Sequence, residues 1–306
     1  RNLNEISFSE WIRIIMDQKD RELFWMLTGY EHMKSKDLSF IASFLTNNNT
    51  VESKYYKPIK GMQEITKKLK KLYKENKGEI NFESTVKRID FHEQKYEVKT
   101  TDNKKVYAKN LIIAIPPSAI KNIENIEKIL DKETVSEMEF IKGYSSSKTY
   151  ATLEEASVIN NIPQNDGFYR TNLSIRLGHW NPCAKGKYNQ KHRTILAEYK
   201  SNIKNNIETI NEKWGRISND LEKILNMKIK EPPMEIISID WENMQSRTSA
   251  HYWSIGAKPN EILKRIQTPK NKLYFTGEAF SLEHGWVNGA VTSTMKVLET
   301  IKSANE

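Results

Sequence analysis

The run Leu273-Tyr-Phe-Thr-Gly-Glu-Ala-Phe-Ser-Leu-Glu-His-Gly-Trp-Val-Asn-Gly-Ala-Val291 decides how this chain is read. Leu273 to Thr276 is short and largely apolar and predicts a buried strand. Gly277 and Glu278 predict a glycine–acid turn, and His284 and Gly285 a second one. An uninterrupted helix is expected from about Asn288 to Ile301. A strand that hands the chain through glycine turns to a helix N-terminus builds a place for an electron-rich group. The first N–H groups of that helix have no intrahelical partner, and the helix dipole adds partial positive charge there.

Outward from this run, the totals describe a globular protein. The chain has 306 residues, 38% hydrophobic and 28% charged, and is long enough for roughly two domains. The net charge of +9 arises from 48 basic residues scattered among 39 acids. The longest basic run, Lys67-Lys-Leu-Lys-Lys71, falls on an amphipathic helical pattern and reads as its solvated face, so no nucleic-acid partner is expected. One cysteine, Cys183, excludes an intrachain disulfide framework. The six histidines have no metal-ligand spacing, so no metal is expected. No apolar run approaches the ~20 residues of a transmembrane segment. Arg1 is not an initiator methionine, and the chain is read as cut from something longer. Asn48 and Asn172 match the glycosylation triplet, a pattern common by chance.

Apolar residues at helical spacing predict helices over 8–45, with Ser7 or Ser9 as first cap. A further helix is expected from Gly61 to about Asn76, stopped by Gly78. Strands are expected over Ile80–Ile89, Tyr96–Thr100 and Val106–Tyr107, with a turn at Asp102-Asn103. Leu111-Ile-Ile-Ala-Ile115, halted by Pro116-Pro117, predicts a strand buried on both faces. Between 120 and 250 the pattern gives strands at Ser147–Leu153, Thr194–Tyr199 and 234–240 and a helix near 206–226. The fold class is α/β, in the mixed α+β sense.

The C-terminal run resembles the flavin-binding motif of the FAD-dependent amine oxidase family, especially the L-amino-acid oxidases. The resemblance extends along nearly the whole chain. Lys60-Gly-Met-Gln-Glu-Ile65 is similar to the family's glycine helix start, and Glu83-Ser-Thr-Val-Lys-Arg-Ile89 to its FAD-domain β segment. Gly143-Tyr-Ser-Ser-Ser-Lys148 and Thr171-Asn-Leu-Ser-Ile-Arg176 resemble substrate-domain strands, and Trp241 to Gly256 resembles the segment returning to the flavin. The implied organisation is a helical segment over 1–50, an FAD-domain segment over 51–118, a substrate-binding domain over 119–256 and a C-terminal FAD-domain segment over 257–306.

The resemblance also assigns roles. Val86 would meet the adenine end of FAD through its backbone. Gly277, Glu278, Gly285, Trp286, Val287, Asn288, Gly289 and Ala290 would line the cofactor, with Glu278 near the ribose or ribityl chain. Lys148 matches the lysine that holds a water beside the flavin, and Trp286 the aromatic that walls the cavity. On pattern alone Lys148 reads as an exposed edge lysine, Trp286 as a core tryptophan and Glu278 as a surface turn residue. Trp253, Gly285 and Trp286 are substrate-side candidates. Either Glu198 or Tyr199 faces the substrate, since strand alternation puts them on opposite faces. Tyr199 there implies an α-amino acid; Glu198 implies a cationic group, as in lysine or a polyamine. Arg247-Thr-Ser-Ala-His251 contains no cysteine, so FAD is expected to be non-covalent.

The family's Gly-x-Gly-x-x-Gly segment is absent, and with it the helix terminus for the pyrophosphate. An N-terminal FAD-binding portion is therefore expected as a separate or cleaved chain. The resemblance implies oxidation of an L-amino acid or another amine by dioxygen, in a homodimer. A branch oxidising polyamines or aryl amines, an amino-acid monooxygenase, or a non-enzymatic binding module remain the alternatives.

Overall fold

The structure is a computed structural model that describes residues 3–41, 43, 58–59, 61–154, 156–163, 167–180, 192–201, 208–241, 250–267 and 270–304. Cys183, Asn48 and the segment from Arg247 to Ser249 lie outside them.

The chain opens with α1 (Phe8–Ile15) and α2 (Gln18–Thr28). Ser7 is the cap, its Oγ accepting from the Glu10 N–H at 3.0 Å. Gly29, in the left-handed region at φ 72°, ends α2 and turns the chain into a 3₁₀ turn, Glu31–Lys34. Leu38 and Ser39 then pair with Ser254 and Ser7, and the Ser39 N–H donates to the Trp253 carbonyl at 2.9 Å. This stitching carries the helical segment onto the strand that precedes Ser254.

α3 (Gln63–Glu75) follows. Its stop differs from expectation: Lys77, at φ 62°, takes the left-handed position, and the Gly78 N–H closes onto the Tyr73 carbonyl. Glycine is needed at 78 for space, because a Cβ there would overlap the Tyr73 ring.

β1 (Val86–His92), β2 (Lys95–Thr100) and β3 (Lys105–Ala108) form an antiparallel meander. The strand expected from Ile80 begins only at Val86; before it, the Thr85 carbonyl accepts from the Thr101 N–H at 2.9 Å, and residues 80–85 are not part of the strand. β4 (Leu111–Ile113) pairs in parallel with the later β12. It is not buried on both faces: Ile112 is 43% exposed, because neither helix nor strand among the described residues covers that side. The short helices α4 (Pro117–Ile120), α5 (Ile126–Ile129) and α6 (Lys132–Met138) lead into β5 (Ile141–Tyr144) and β6 (Ser146–Leu153).

α7 (Ala156–Asn161), β7 (Phe168–Arg170), β8 (Leu177–His179) and β9 (Arg193–Ser201) come next. α8 (Ile210–Leu225) starts with a capping box between Thr209 and Glu212. β10 (Glu235–Asp240) completes a five-stranded antiparallel sheet in the order β10-β6-β9-β8-β7. β11 (Ala250–Trp253) pairs with β5, and α9 (Pro259–Ile266), β12 (Leu273–Phe275) and α10 (Val287–Ser303) end the chain.

Two apolar cores result. One joins β1, β2, β4, β11, β12 and α9 around Tyr96, Ile120, Ile262, Phe275 and Phe280. The other fills the space between one face of the five-stranded sheet and α8, around Ala151, Ile195, Ile217 and Leu221. That arrangement leaves the opposite sheet face, which carries Lys148, turned toward the helical segment.

Candidate functional site

The turn after β12 is built by backbone chemistry. Gly277 sits at φ 123° and ψ 173°, a region open only to glycine, with no atom near its missing side chain. Ser293, nearly two turns inside α10, holds both ends of that residue: its Oγ accepts from the Gly277 N–H at 3.0 Å and donates to the Gly277 carbonyl at 2.9 Å. Gly289 is glycine for a different reason, since a Cβ would overlap the Glu283 carbonyl and Ser281 Oγ. α10 begins at Trp286 with no side-chain cap, and Trp286 and Val287 are exposed. An uncapped helix start beside a glycine cradle is what an electron-rich ring edge requires, so these residues fit a flavin.

Glu278 is less available than its motif suggests. Oε1 accepts from the backbone N–H of His251 at 3.0 Å and from the Gly285 N–H, while Oε2 meets His251 Nδ1 at 2.7 Å. Burial pushes its carboxyl up, but the hydrogen bonds from His251 and Gly285 outweigh it, and the pKa lies below the ordinary range. The carboxylate thus ties β11 to the turn that carries Trp286. His284, in that turn, places Nε2 at 3.0 Å from the Ala279 carbonyl and stacks on Trp253 with ring centres 4.8 Å apart. Burial brings its pKa down to about 4.

In front of the Gly285 turn stands a group of aromatic rings. Gly285 faces the Tyr144 hydroxyl, at 3.4 Å from where a Cβ would be. His32 stacks on Tyr144 with ring centres 3.8 Å apart at 7°. Tyr30 lies 5.8 Å from His32 and 5.9 Å from Tyr199. Lys148 pairs directly with Tyr199 across the β6–β9 ladder, its Nζ 4.9 Å from the Tyr199 ring centre. Among the described residues Lys148 has no carboxylate partner, and burial lowers its pKa. The Tyr199 hydroxyl is pushed up to about 12, first by burial and then by neighbouring tyrosines.

Glu198 belongs elsewhere. It is 1% exposed, bound by Arg216 at 2.5 and 3.3 Å and by Lys200 at 2.8 Å, on the α8 side. A bulge at Ala197, between the pairs Thr149–Glu198 and Tyr150–Leu196, accommodates it there. Trp253, expected on the substrate side, is 2% exposed and packs in the first core. Asn288 is exposed and its Nδ2 donates to Glu283; Ala290 lies in the first turn of α10. Val86 opens β1, half-buried against the first core, and no hydrogen bond or ring contact joins it to the turn.

Tyr30, His32 and Tyr144 were not singled out from the sequence. They come from the 3₁₀ turn after α2 and from β5, and only the fold brings them beside Lys148. Two surface clefts of about 390 and 240 Å³ lie elsewhere, lined by residues of α4 to α6 and α9, and include none of this group. Among the described residues no cluster of metal-ligating side chains occurs, and no helix is long and apolar enough to cross a membrane.

The fold has solved counterparts. It is similar to putrescine oxidase bound to putrescine, with TM-score 0.79 and 15% identity over 100% of this chain and 69% of that one. A mutant of the same enzyme from a redesign of cofactor binding gives TM-score 0.80 at 16% identity, covering 99% and 69%. A putative protoporphyrinogen oxidase from Exiguobacterium sp. 255-15 gives 0.56 at 16% identity, covering 80% and 51%. No curated protein matches the sequence significantly. The family model described as flavin containing amine oxidoreductase matches residues 1–297. The chain belongs to this family of flavin-containing amine oxidoreductases, whose cofactor is FAD.

Proposed function

We propose that the protein carries out oxidative deamination of an L-α-amino acid, forming a keto acid, ammonia and hydrogen peroxide. FAD, non-covalently held, supplies acceptance of hydride from the substrate Cα and its return to dioxygen. The observation that carries the amino-acid reading is the orientation of β9. Tyr199 shares a face with Lys148 and sets its ring beside Tyr30, whereas Glu198 is committed to Arg216 on the other face. A phenol hydroxyl donates well to a carboxylate; a free carboxylate, needed for a second ammonium, is missing from that face among the described residues.

The side chains divide the work. Lys148, without a carboxylate partner among the described residues and partly desolvated, holds a water or proton near the reacting Cα. Trp286 closes the cavity with a flat apolar face. Glu278, through Gly285 and His251, fixes the turn on which Trp286 rides. The backbone N–H groups of Val287, Asn288 and Ala290 favour negative charge at the α10 terminus.

The pyrophosphate of FAD has no glycine-rich helix terminus in this sequence. We assign it to a nucleotide-binding portion outside these 306 residues, seated on apolar groups now uncovered: Leu69 and Leu72 of α3, Ile112 of β4, and Val287, Val291 and Met295 of α10. The test is the visible spectrum of the purified protein, before and after anaerobic addition of single L-amino acids or of putrescine. Bleaching of oxidised-flavin bands by amino acids supports the reading; bleaching by putrescine alone would replace it with a diamine oxidase.

A further inference from the structure

His32 has the marks of a ligand-binding group. Its backbone N–H donates to Ser201 Oγ at 3.1 Å, and its Nδ1 lies 3.1 Å from the same oxygen. The arrangement that uses the hydroxyl proton has Ser201 donating to Nδ1, which leaves the ring hydrogen on Nε2; this tautomer is assigned from the hydrogen-bond network. Nε2 has no hydrogen-bond partner among the described residues. Tyr144 lies flat against one face of the ring, with centres 3.8 Å apart. Burial holds the imidazole pKa at about 4, so near neutral pH it offers one N–H and no charge.

Its surroundings are rich in donors and poor in acceptors. The rings of Tyr30 and Tyr144 lie 5.8 and 3.8 Å from the imidazole, and Tyr199, with the Lys148 amine against it, lies 5.9 Å from Tyr30. The carboxylates on the packed elements are engaged already. Glu31 pairs with Arg176 and Lys34, Asp37 accepts from Tyr252 and Ser35, Glu278 is held by His251, and Glu198 by Arg216. Aromatic walls with neighbouring N–H and O–H groups suit a small carboxylate attached to an apolar body.

We propose that His32 is a specificity-determining residue whose Nε2–H donates to the substrate α-carboxylate, alongside the Tyr199 hydroxyl. The proposal rests on the amino-acid reading and deepens it: His32 separates an amino acid from the amine left by removing its carboxylate.

The test uses the FAD-loaded protein with L-phenylalanine and 2-phenylethylamine, which differ only in that carboxylate. His32→Phe keeps a flat ring against Tyr144 and removes the donor. It is expected to raise KM for L-phenylalanine about tenfold, the scale of one hydrogen bond to a charged group, and to leave KM for 2-phenylethylamine unchanged. Equal changes for both, or none, would overturn the role. A second measurement is benzoate binding, followed by tryptophan fluorescence. Benzoate affinity is expected to fall about tenfold in His32→Phe and to recover partly in His32→Asn, which regains an N–H; an unaltered affinity overturns the proposal whatever the turnover. A wild-type protein that binds benzoate through His32 yet oxidises no amino acid would sink the proposed reaction and keep the carboxylate donor.

Discussion

Lys148 and Tyr199 face each other as direct cross-strand partners, the amine 4.9 Å from the phenol ring centre. One residue earlier on β9, Glu198 is 1% exposed and locked to Arg216. This alternation separates a face committed to ion pairs from the one proposed to meet substrate, and each face makes its own prediction.

On the Lys148 face, Lys148→Met removes the ammonium beside Tyr199. Anaerobic stopped-flow is expected to show flavin reduction or reoxidation slowed ~10²-fold or more, the scale of a positioned proton-transfer group. Because burial lowers the Lys148 pKa, the basic limb of the wild-type pH profile falls below the ordinary lysine range and disappears in the variant. Unchanged rates would remove Lys148 from the chemistry.

Across the strand the outcomes invert. Tyr199→Phe should raise KM for the amino acid about tenfold with little change in melting temperature. Arg216→Met leaves Glu198 buried without its main partner and should destabilise by ~3 kcal/mol, with KM preserved. A KM effect in Arg216→Met exceeding that in Tyr199→Phe would mean the two faces had been exchanged.

Acid should weaken the fold through two neutral histidines. His32 and His284 are brought from 6.5 to about 4 by burial, so the unfolded chain binds more protons than the native one between those values. Stability is therefore full above about pH 6.5 and falls as pH drops toward 4, by up to ~3 kcal/mol for each histidine as an order of magnitude. Melting temperatures across that range read the slope, and His32→Phe should make it shallower by one proton. A slope identical in the variant would contradict a neutral, buried His32.

The two glycines of the turn should fail differently on substitution. Gly277→Ala meets open space but a forbidden backbone region, and strain alone should cost ~1–3 kcal/mol. Gly289→Ala keeps ordinary helical geometry but drives a methyl into the Glu283 carbonyl, so α10 must shift by overpacking, costing ~1–3 kcal/mol. Thermal melting gives both losses. Weakened FAD retention, read by flavin fluorescence on dilution, is expected to be greater for Gly289→Ala, because it moves the helix start itself.

Much of the framework was legible because it is local. The strand at 273, the two glycine turns and the final helix appear where the run from Leu273 to Val291 puts them, with helix bounds of Val287–Ser303. Ser7 as a cap and the hairpin after Val86 were also readable from short-range chemistry. The exposed side of Ile112 was not, since an apolar run reads as doubly covered whether or not the cover belongs to the same chain. The bulge at Ala197 has no sequence mark, so the choice between Glu198 and Tyr199 needed the register against β6. Tyr30, His32 and Tyr144 carry no local motif; they meet because Leu38 and Ser39 fasten the helical segment to the end of β11. Trp253 reads equally as core or cavity until its burial is known.

Ser293 grips Gly277 from inside α10, while the outer side of the same helix bears Val287, Val291, Met295 and Leu298 in a row open to solvent. Helix and turn therefore move as one lever. A displacement of the outer row would reach the glycine cradle through the helix itself, without passing through any loop.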